Sequence, residues 1–369
     1  MTHPTLPPPP EGETERVPGA LLIRGDCDDP AWEDVLSRMG DLPGMVVHTP
    51  GPSLPPIPEH APTLPNQNPT LPAQAPIRRR LLVVQDPAWR GVTPVEVLQA
   101  LHSDDAWVPD LVLVADRGTE RDAPLRPLVA FLPGDDDFEP FRVTPRQAAL
   151  TYLVTHRPSI EDTLEHQKDR GGVESEREPD ESYEDWLDAS PHLMGEVLET
   201  AGQPPRYQPP TSPLPVITQN DSGLLVRTDF SDDRAWAAFA ADADRLDPRY
   251  ESSEDYAPYL QIVDDPAFDG ATPEQVLAVV RQSEDDEEPG EEIVVIADRA
   301  SLHGPDRSAL VVPLQDDVGW SFRLPLEDVR IMVINLFVGN NDIADWMSRG
   351  LPNGPAVITE KERRAWRGW

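Results

Sequence analysis

The feature that most restricts this chain is that it repeats itself. Leu21-Leu22-Ile23-Arg24-Gly25-Asp26 returns as Leu224-Leu225-Val226-Arg227-Thr228-Asp229. Asp28-Asp29-Pro30-Ala31-Trp32 returns as Asp232-Asp233-Arg234-Ala235-Trp236, and the run from Val84 to Pro94 is answered by the run from Val263 to Pro273. Val114-Ala115-Asp116-Arg117 matches Ile296-Ala297-Asp298-Arg299, and Phe141-Arg142-Val143 matches Phe322-Arg323-Leu324. Matched blocks in one order place two copies of a single domain at residues 19–170 and 221–369. Whatever fold is proposed must therefore close within about 150 residues and do so twice.

Each copy carries the same succession of patterns. LLIR, LLVV and LVLVAD are short continuous apolar runs rich in β-branched residues, as expected of strands buried on both faces. Asp28 and Asp232 stand where N-caps belong, ahead of the helical runs PAWEDVLSRM and DRAWAAFAADA. Thr93-Pro94 and Thr272-Pro273 place a cap before an N1 proline and open VEVLQAL and EQVLAVV. Two further extended runs and a long apolar helix (QAALTYLVT or VRIMVINLFV) complete each copy. The fold class expected is α/β: two tandem β-α-β-α-β-β-β-α domains with a mixed, partly parallel sheet and an antiparallel hairpin at one side.

Proline marks what lies between the domains. The 45 prolines are about twice ordinary usage, and they crowd into residues 1–18, 43–76 and 204–215. Missing N–H donors and a fixed φ favour extended, unpaired chain there. The sequence thus predicts a disordered Pro-rich N-terminus (1–18), a disordered insertion in the first copy (43–76) and an acidic, Pro-rich linker (171–220). The insertion reads as a spacer, with recruitment of a proline-recognising partner as the alternative. Two acidic runs, Glu174–Asp188 and Glu284–Glu292, read as solvated loops.

Charge and composition exclude several functions. With 31 Lys+Arg against 67 Asp+Glu the net charge is −36, which repels phosphate backbones and anionic membrane surfaces. No nucleic acid and no membrane are expected as partners. Lys168 and Lys361 are the only lysines and neither lies in a Gly-rich loop, which argues against a Walker-type phosphate site or a Schiff-base lysine. The single cysteine, Cys27, cannot form an intramolecular disulfide or a multi-Cys zinc site. No apolar run reaches the ~20 residues of a spanning helix, and the N-terminus lacks a signal-peptide pattern, so a cytoplasmic protein is expected. None of the eight histidines recurs at an equivalent position, so no duplicated His-based catalytic or metal site is expected.

Taken together, the motifs resemble those of a small actinobacterial α/β domain family of unknown function. The shared features are an L-[LIV]-[LIV]-R-T-D-[FY] opening, a D-P-x-[FY]-x-G-x-[TS]-P centre, a V-A-D block and an aromatic-Arg-Gly-aromatic end. The second copy matches through LLVRTDFSDDRAW, DDPAFDGATP, VIADR and Trp366-Arg367-Gly368-Trp369. The first departs from the pattern: Gly25 replaces the motif Thr, one residue is deleted beside Cys27, and no such end follows Leu164. The resemblance implies no activity.

Candidate site residues gather where the parallel strands end, because ligands of open α/β sheets bind at the carboxyl ends of strands. They are Arg24, Asp26, Asp29, Asp86, Asp116 and Arg117 in the first copy, and Arg227, Asp229, Asp233, Asp265, Asp298 and Arg299 in the second. The carboxylates read first as caps and turns. Their alternative is a divalent-cation site, since hard cations prefer oxygen ligands. Arg24 and Arg227 are expected to pair with Asp116 and Asp298 of the adjoining strand end. Trp32 and Trp236 are expected to cover the sheet, whereas Trp366, Arg367 and Trp369 suit a partner-binding anchor.

The function expected from these observations is a non-enzymatic acidic binding module for a basic protein, of inhibitor or immunity type, with no cofactor. The alternative is a divalent-metal-dependent enzyme acting on a phosphorylated small molecule through Asp229, Asp233, Asp265 and Asp298. A third reading is a scaffold that recruits its partner through the Pro-rich segment.

Overall fold

The computed structural model describes residues 17–48, 79–101, 107–154, 207–219, 223–243, 260–282 and 293–337, with breaks at 124, 135–139, 306 and 315–320, and Ile343, Trp346 and Leu351–Pro352 beyond them. The N-terminal tract, most of the insertion, both acidic runs and Trp366, Arg367 and Trp369 lie outside the described residues. The chain divides into two compact units, with the described residues up to Pro213 in the first and those from Leu214 in the second.

In the first unit, β1 (Gly19–Arg24) leads into α1 (Asp29–Met39), then β2 (Met45–His48) and β3 (Arg80–Val84). A 3-10 turn at Pro87–Trp89 and α2 (Pro94–Leu101) precede β4 (Leu111–Ala115) and a short α3 (Arg117–Arg121). β5 (Leu128–Phe131), β6 (Phe141–Val143) and α4 (Pro145–Val154) complete it. The sheet order is β2-β3-β1-β4-β5-β6. Its first four strands run parallel, and β5 and β6 return antiparallel. Alternation along the strands sends Leu21, Ile23, Leu82, Val84, Val112 and Val114 into one core with Trp89, Val97, Leu101 and Trp107. Leu22, Val83 and Leu113, equally buried, point to the opposite face.

The second unit repeats this plan. β7 (Ile217–Gln219) precedes β8 (Gly223–Arg227), α5 (Asp233–Ala243) and β9 (Leu260–Val263). A 3-10 turn at Pro266–Phe268, α6 (Pro273–Leu277), β10 (Val280–Gln282), β11 (Ile293–Ala297) and α7 (Arg299–His303) follow. The remainder comprises β12 (Ser308–Pro313), β13 (Phe322–Pro325), α8 (Leu326–Phe337) and β14 (Leu351–Pro352). The sheet order is β14-β13-β12-β11-β8-β9, with β9, β8 and β11 parallel and the others antiparallel. In both units the first and third shared strands sit side by side, so the strand order reverses between them. That point lies between β1 and β4 in one unit and between β8 and β11 in the other.

The mixed sheet matches the fold expected, and several details correct the expectation. The 43–76 insertion is not wholly unpaired, since Met45–His48 pairs parallel to β3 at the sheet edge. Those four residues contain no proline and two valines, which suits an edge strand. The linker's end is also ordered. Tyr207 is buried in the first unit and bridges Gly40, whereas Ile217–Gln219 pairs with β10 in the second. The helix expected over EQVLAVV stops at Leu277, and Val280–Gln282 becomes strand because β7 takes up its hydrogen bonds. The short helices α3 and α7 were hidden in the sequence, being only five residues long.

Gly40 closes α1 with φ 82° and ψ −171°, a backbone region open essentially to glycine alone. A Cβ built there would lie 2.4 Å from the Tyr207 carbonyl oxygen, which itself accepts the Asp41 N–H at 3.0 Å. Gly40→Ala should therefore destabilise the first unit by about 1–3 kcal/mol, read as a lowered urea midpoint. An unchanged midpoint would mean that the segment around Tyr207 contributes nothing to the unit's stability.

Candidate functional site

The strand ends hold arginine–carboxylate pairs built on the same plan in both units. Asp116 follows β4 and caps α3: its Oδ1 accepts the N–H groups of Gly118 and Thr119 at 2.9 and 3.2 Å, while Thr119 Oγ1 accepts the Asp116 N–H. Both oxygens of the same carboxylate take Arg142 of β6, each at 2.8 Å. Asp298 repeats this after β11. It accepts the Ser301 N–H at 2.9 Å, and Arg323 of β13 holds both its oxygens. Each arginine also donates to a backbone carbonyl beside the intervening antiparallel strand, Pro127 for Arg142 and Ser308 for Arg323. Burial pushes the Asp116 and Asp298 carboxyls up. The guanidiniums and capping N–H groups outweigh it, so both lie below the ordinary aspartate value.

The expected pairing of Arg24 and Arg227 with Asp116 and Asp298 is thus overturned, because those carboxylates are taken by Arg142 and Arg323. Arg24 turns instead to Asp29 in the first turn of α1 and to the Cys27 carbonyl. Arg227 does the same with Asp233 at 2.7 Å and the Asp229 carbonyl at 2.9 Å, and adds Asp264 at 3.1 Å. Its guanidinium carbon lies 4.0 Å from the Phe230 ring centroid and 5.3 Å from that of Trp236, within cation–π range. Asp264 also accepts the Trp236 indole N–H at 2.8 Å, where the first unit uses Gln85 for Trp32. Both tryptophans are buried, as expected of residues covering the sheet.

The remaining strand-end residues have separate tasks. Asp28 and Asp232 cap their helices through Ala31 N and through Arg234 N and Ala235 N. Asp86 and Asp265 cap the 3-10 turns through Ala88 N and Ala267 N. Asp26 pairs with Arg117 at 2.6 Å. Its counterpart Asp229 is buried, accepts the Ser231 N–H at 2.9 Å and has His303 Nε2 3.5 Å away. Burial raises the Asp229 carboxyl, but the Ser231 bonds and the charges of His303 and Arg299 hold it below the ordinary value. The Arg299 side chain is exposed and makes no hydrogen bond among the described residues, although its charge acts on Asp229.

The carboxylates weighed as an alternative divalent-cation set are each engaged by a separate partner, in keeping with the cap-and-turn reading placed first. Asp233 goes to Arg227, Asp265 to a turn and Asp298 to Arg323, each with its own partner. Among the described residues no group of three or more His, Cys, Asp or Glu is placed to hold a metal ion. Sequence reasoning passed over Arg142 and Arg323, although both stand in a matched block. It also set His303 aside because it is not duplicated.

The two units define a tandem pair of mixed α/β repeats whose carboxyl-terminal strand ends are lined by paired charges. A family model described as Domain of unknown function (DUF6924) matches residues 67–152 and 222–354. The chain belongs to this family and carries its domain twice. The first match begins after β1 and α1, whereas the second starts at the opening strand β8. No curated protein matches the chain.

Arg323→Met leaves the Asp298 carboxylate half-buried with only its capping bonds. It should cost about 1.5–3 kcal/mol, the range for hydrogen bonds to charged groups. A carboxylate whose pKa is lower folded than unfolded adds stability that is complete above the unfolded value. That stability is lost as pH falls through the folded value. Denaturant titrations from pH 6 downward should thus show the wild-type chain losing stability below about pH 4, with a shallower acid slope in Arg323→Met. Parallel acid slopes in the two proteins would contradict the pairing.

Proposed function

We propose that this chain is a non-enzymatic binding protein whose acidic strand-end surface receives a basic protein partner, in the manner of an inhibitor or immunity protein. One observation supports this above the others: how the second unit divides its carboxylates. Asp298 and Asp229 are partly or largely buried and tied to helix caps, backbone N–H groups or an arginine. Asp232, Asp233, Asp264, Asp265 and Asp269 remain exposed. They follow the parallel neighbours β8 and β9, so they share one end of the sheet.

A rim of this sign on a chain of net charge −36 attracts cationic surfaces over several ångströms and speeds encounter. It disfavours phosphate-bearing partners for the same reason. Phe230, half-buried within the rim, supplies apolar contact area of the kind that anchors interfaces.

The test exploits the fact that asparagine caps helices about as well as aspartate. Immobilised full-length chain, presented with a lysate of its own host at about 0.1 M salt, should retain a basic protein that elutes as salt rises. The variant carrying Asp232→Asn, Asp265→Asn and Asp269→Asn keeps its caps and should bind that protein about tenfold more weakly. Equal retention by both chains, or no retained protein, would contradict the proposal.

A further inference from the structure

Where the strand order reverses in the second unit, a buried carboxylate oxygen has no hydrogen-bond donor among the described residues. The Asp229 side chain is nine-tenths buried. Its Oδ1 takes the Ser231 N–H, but Oδ2 is closed off from solvent and accepts no hydrogen bond among the described residues. The imidazole His303 Nε2 lies 3.5 Å from it and also stands 3.4 Å from Ser231 Oγ. The Ser231 contact is a long hydrogen bond, whereas the Asp229 separation exceeds ordinary hydrogen-bond length, and a carboxylate oxygen left in this way is costly.

The first unit shows what this position accepts. Asp26 stands at the same point of the fold, and its Oδ2 receives the Nε–H of Arg117 at 2.6 Å. The second unit has Arg299 at the matching place, but that side chain is exposed and makes no hydrogen bond among the described residues. One carboxylate position is thus filled by a guanidinium in one repeat and, among the described residues, receives none in the other.

The geometry points to Asp229 as the seat of an arginine side chain delivered by the basic partner, a step that rests on the binding reading above. The incoming guanidinium donates to Oδ2 as Arg117 donates to Asp26. His303 ends the short α7 with its side chain 37% exposed, and it must turn aside to admit the guanidinium, a rotamer change of the kind surface side chains make in ps–ns. Exposed Asp232, Asp233 and Asp264 provide further acceptors, and the Phe230 ring provides a surface for a planar cation. A planar fork with several fixed donors suits such a seat better than a lysine ammonium.

The test is an NMR titration of the full-length chain with acetyl-Gly-Arg-Gly-amide and, separately, acetyl-Gly-Lys-Gly-amide. The arginine peptide should shift the Ser231 amide and the His303 ring saturably. The lysine peptide should do so about tenfold more weakly, and Asp229→Asn should abolish the response. Comparison of the two peptides on the unmodified chain decides the matter even if that variant does not fold. Four results would overturn the assignment: no saturable shift, equal response to both peptides, a response retained in Asp229→Asn, or a response that appears only in Arg299→Ala. The last would mean that the chain's own arginine fills the seat. If the peptides fail while the full chain still retains a basic protein, the arginine seat is lost and the acidic-surface reading stands. If both fail, both are lost.

Discussion

The carboxylate that follows the last parallel strand of each repeat has two jobs, and the architecture of each repeat hangs on their being done by the same side chain. Asp116 and Asp298 cap the helix that follows them, which fixes the direction in which the chain leaves the sheet. The same oxygens grip an arginine two strands away, Arg142 or Arg323, across the first antiparallel strand. A charged contact thereby reinforces the backbone ladder that pairs the last parallel strand with the antiparallel hairpin. Neither half of the sheet is held to the other by side-chain packing alone. Since the guanidinium fork matches a carboxylate geometrically, the contact is compatible with the one register in which the outer strand pairs, and a point charge would discriminate less well.

The second recurrent arginine works differently. Arg24 and Arg227 leave the first strand and reach into the opening turn of the first helix, where Asp29 and Asp233 are exposed partners. This contact is closer to a surface ion pair on its carboxylate side, and exposed pairs contribute little to stability. What distinguishes Arg227 is its burial between Phe230 and Trp236 and its added bond to Asp264. In the first repeat Gln85 replaces Asp264, so the second repeat holds its arginine with one more charge. The two repeats share a scaffold and differ at the rim, as expected when one plan serves two surfaces.

Much of this was legible in the sequence, because strands buried on both faces leave unbroken apolar runs and because the duplication confirmed each run independently. The caps at Asp28, Asp232 and Thr272 were legible for a local reason: the capping side chain and the N–H it receives lie within three residues. What failed was long-range. Nothing within a few residues of Asp116 indicates that Arg142 will claim it, and adjacency of strand ends favoured Arg24 instead. Composition also misled where it was averaged over a stretch. Proline content across residues 43–76 concealed the proline-free Met45–His48, which became an edge strand. His303 was invisible to an argument from duplication, since what it does is peculiar to one repeat.

The central claim is that the strand-end carboxylates are engaged by arginines and backbone N–H groups, so that a cation would have to displace those partners. Calorimetric titration of Mg²⁺, Mn²⁺ and Ca²⁺ into the full-length chain tests it most directly. The account predicts only weak, salt-screened heats of the kind any acidic surface gives. Saturable binding of about one ion per repeat, at the coordination preferences of a hard cation and lost in Asp298→Asn, would contradict it.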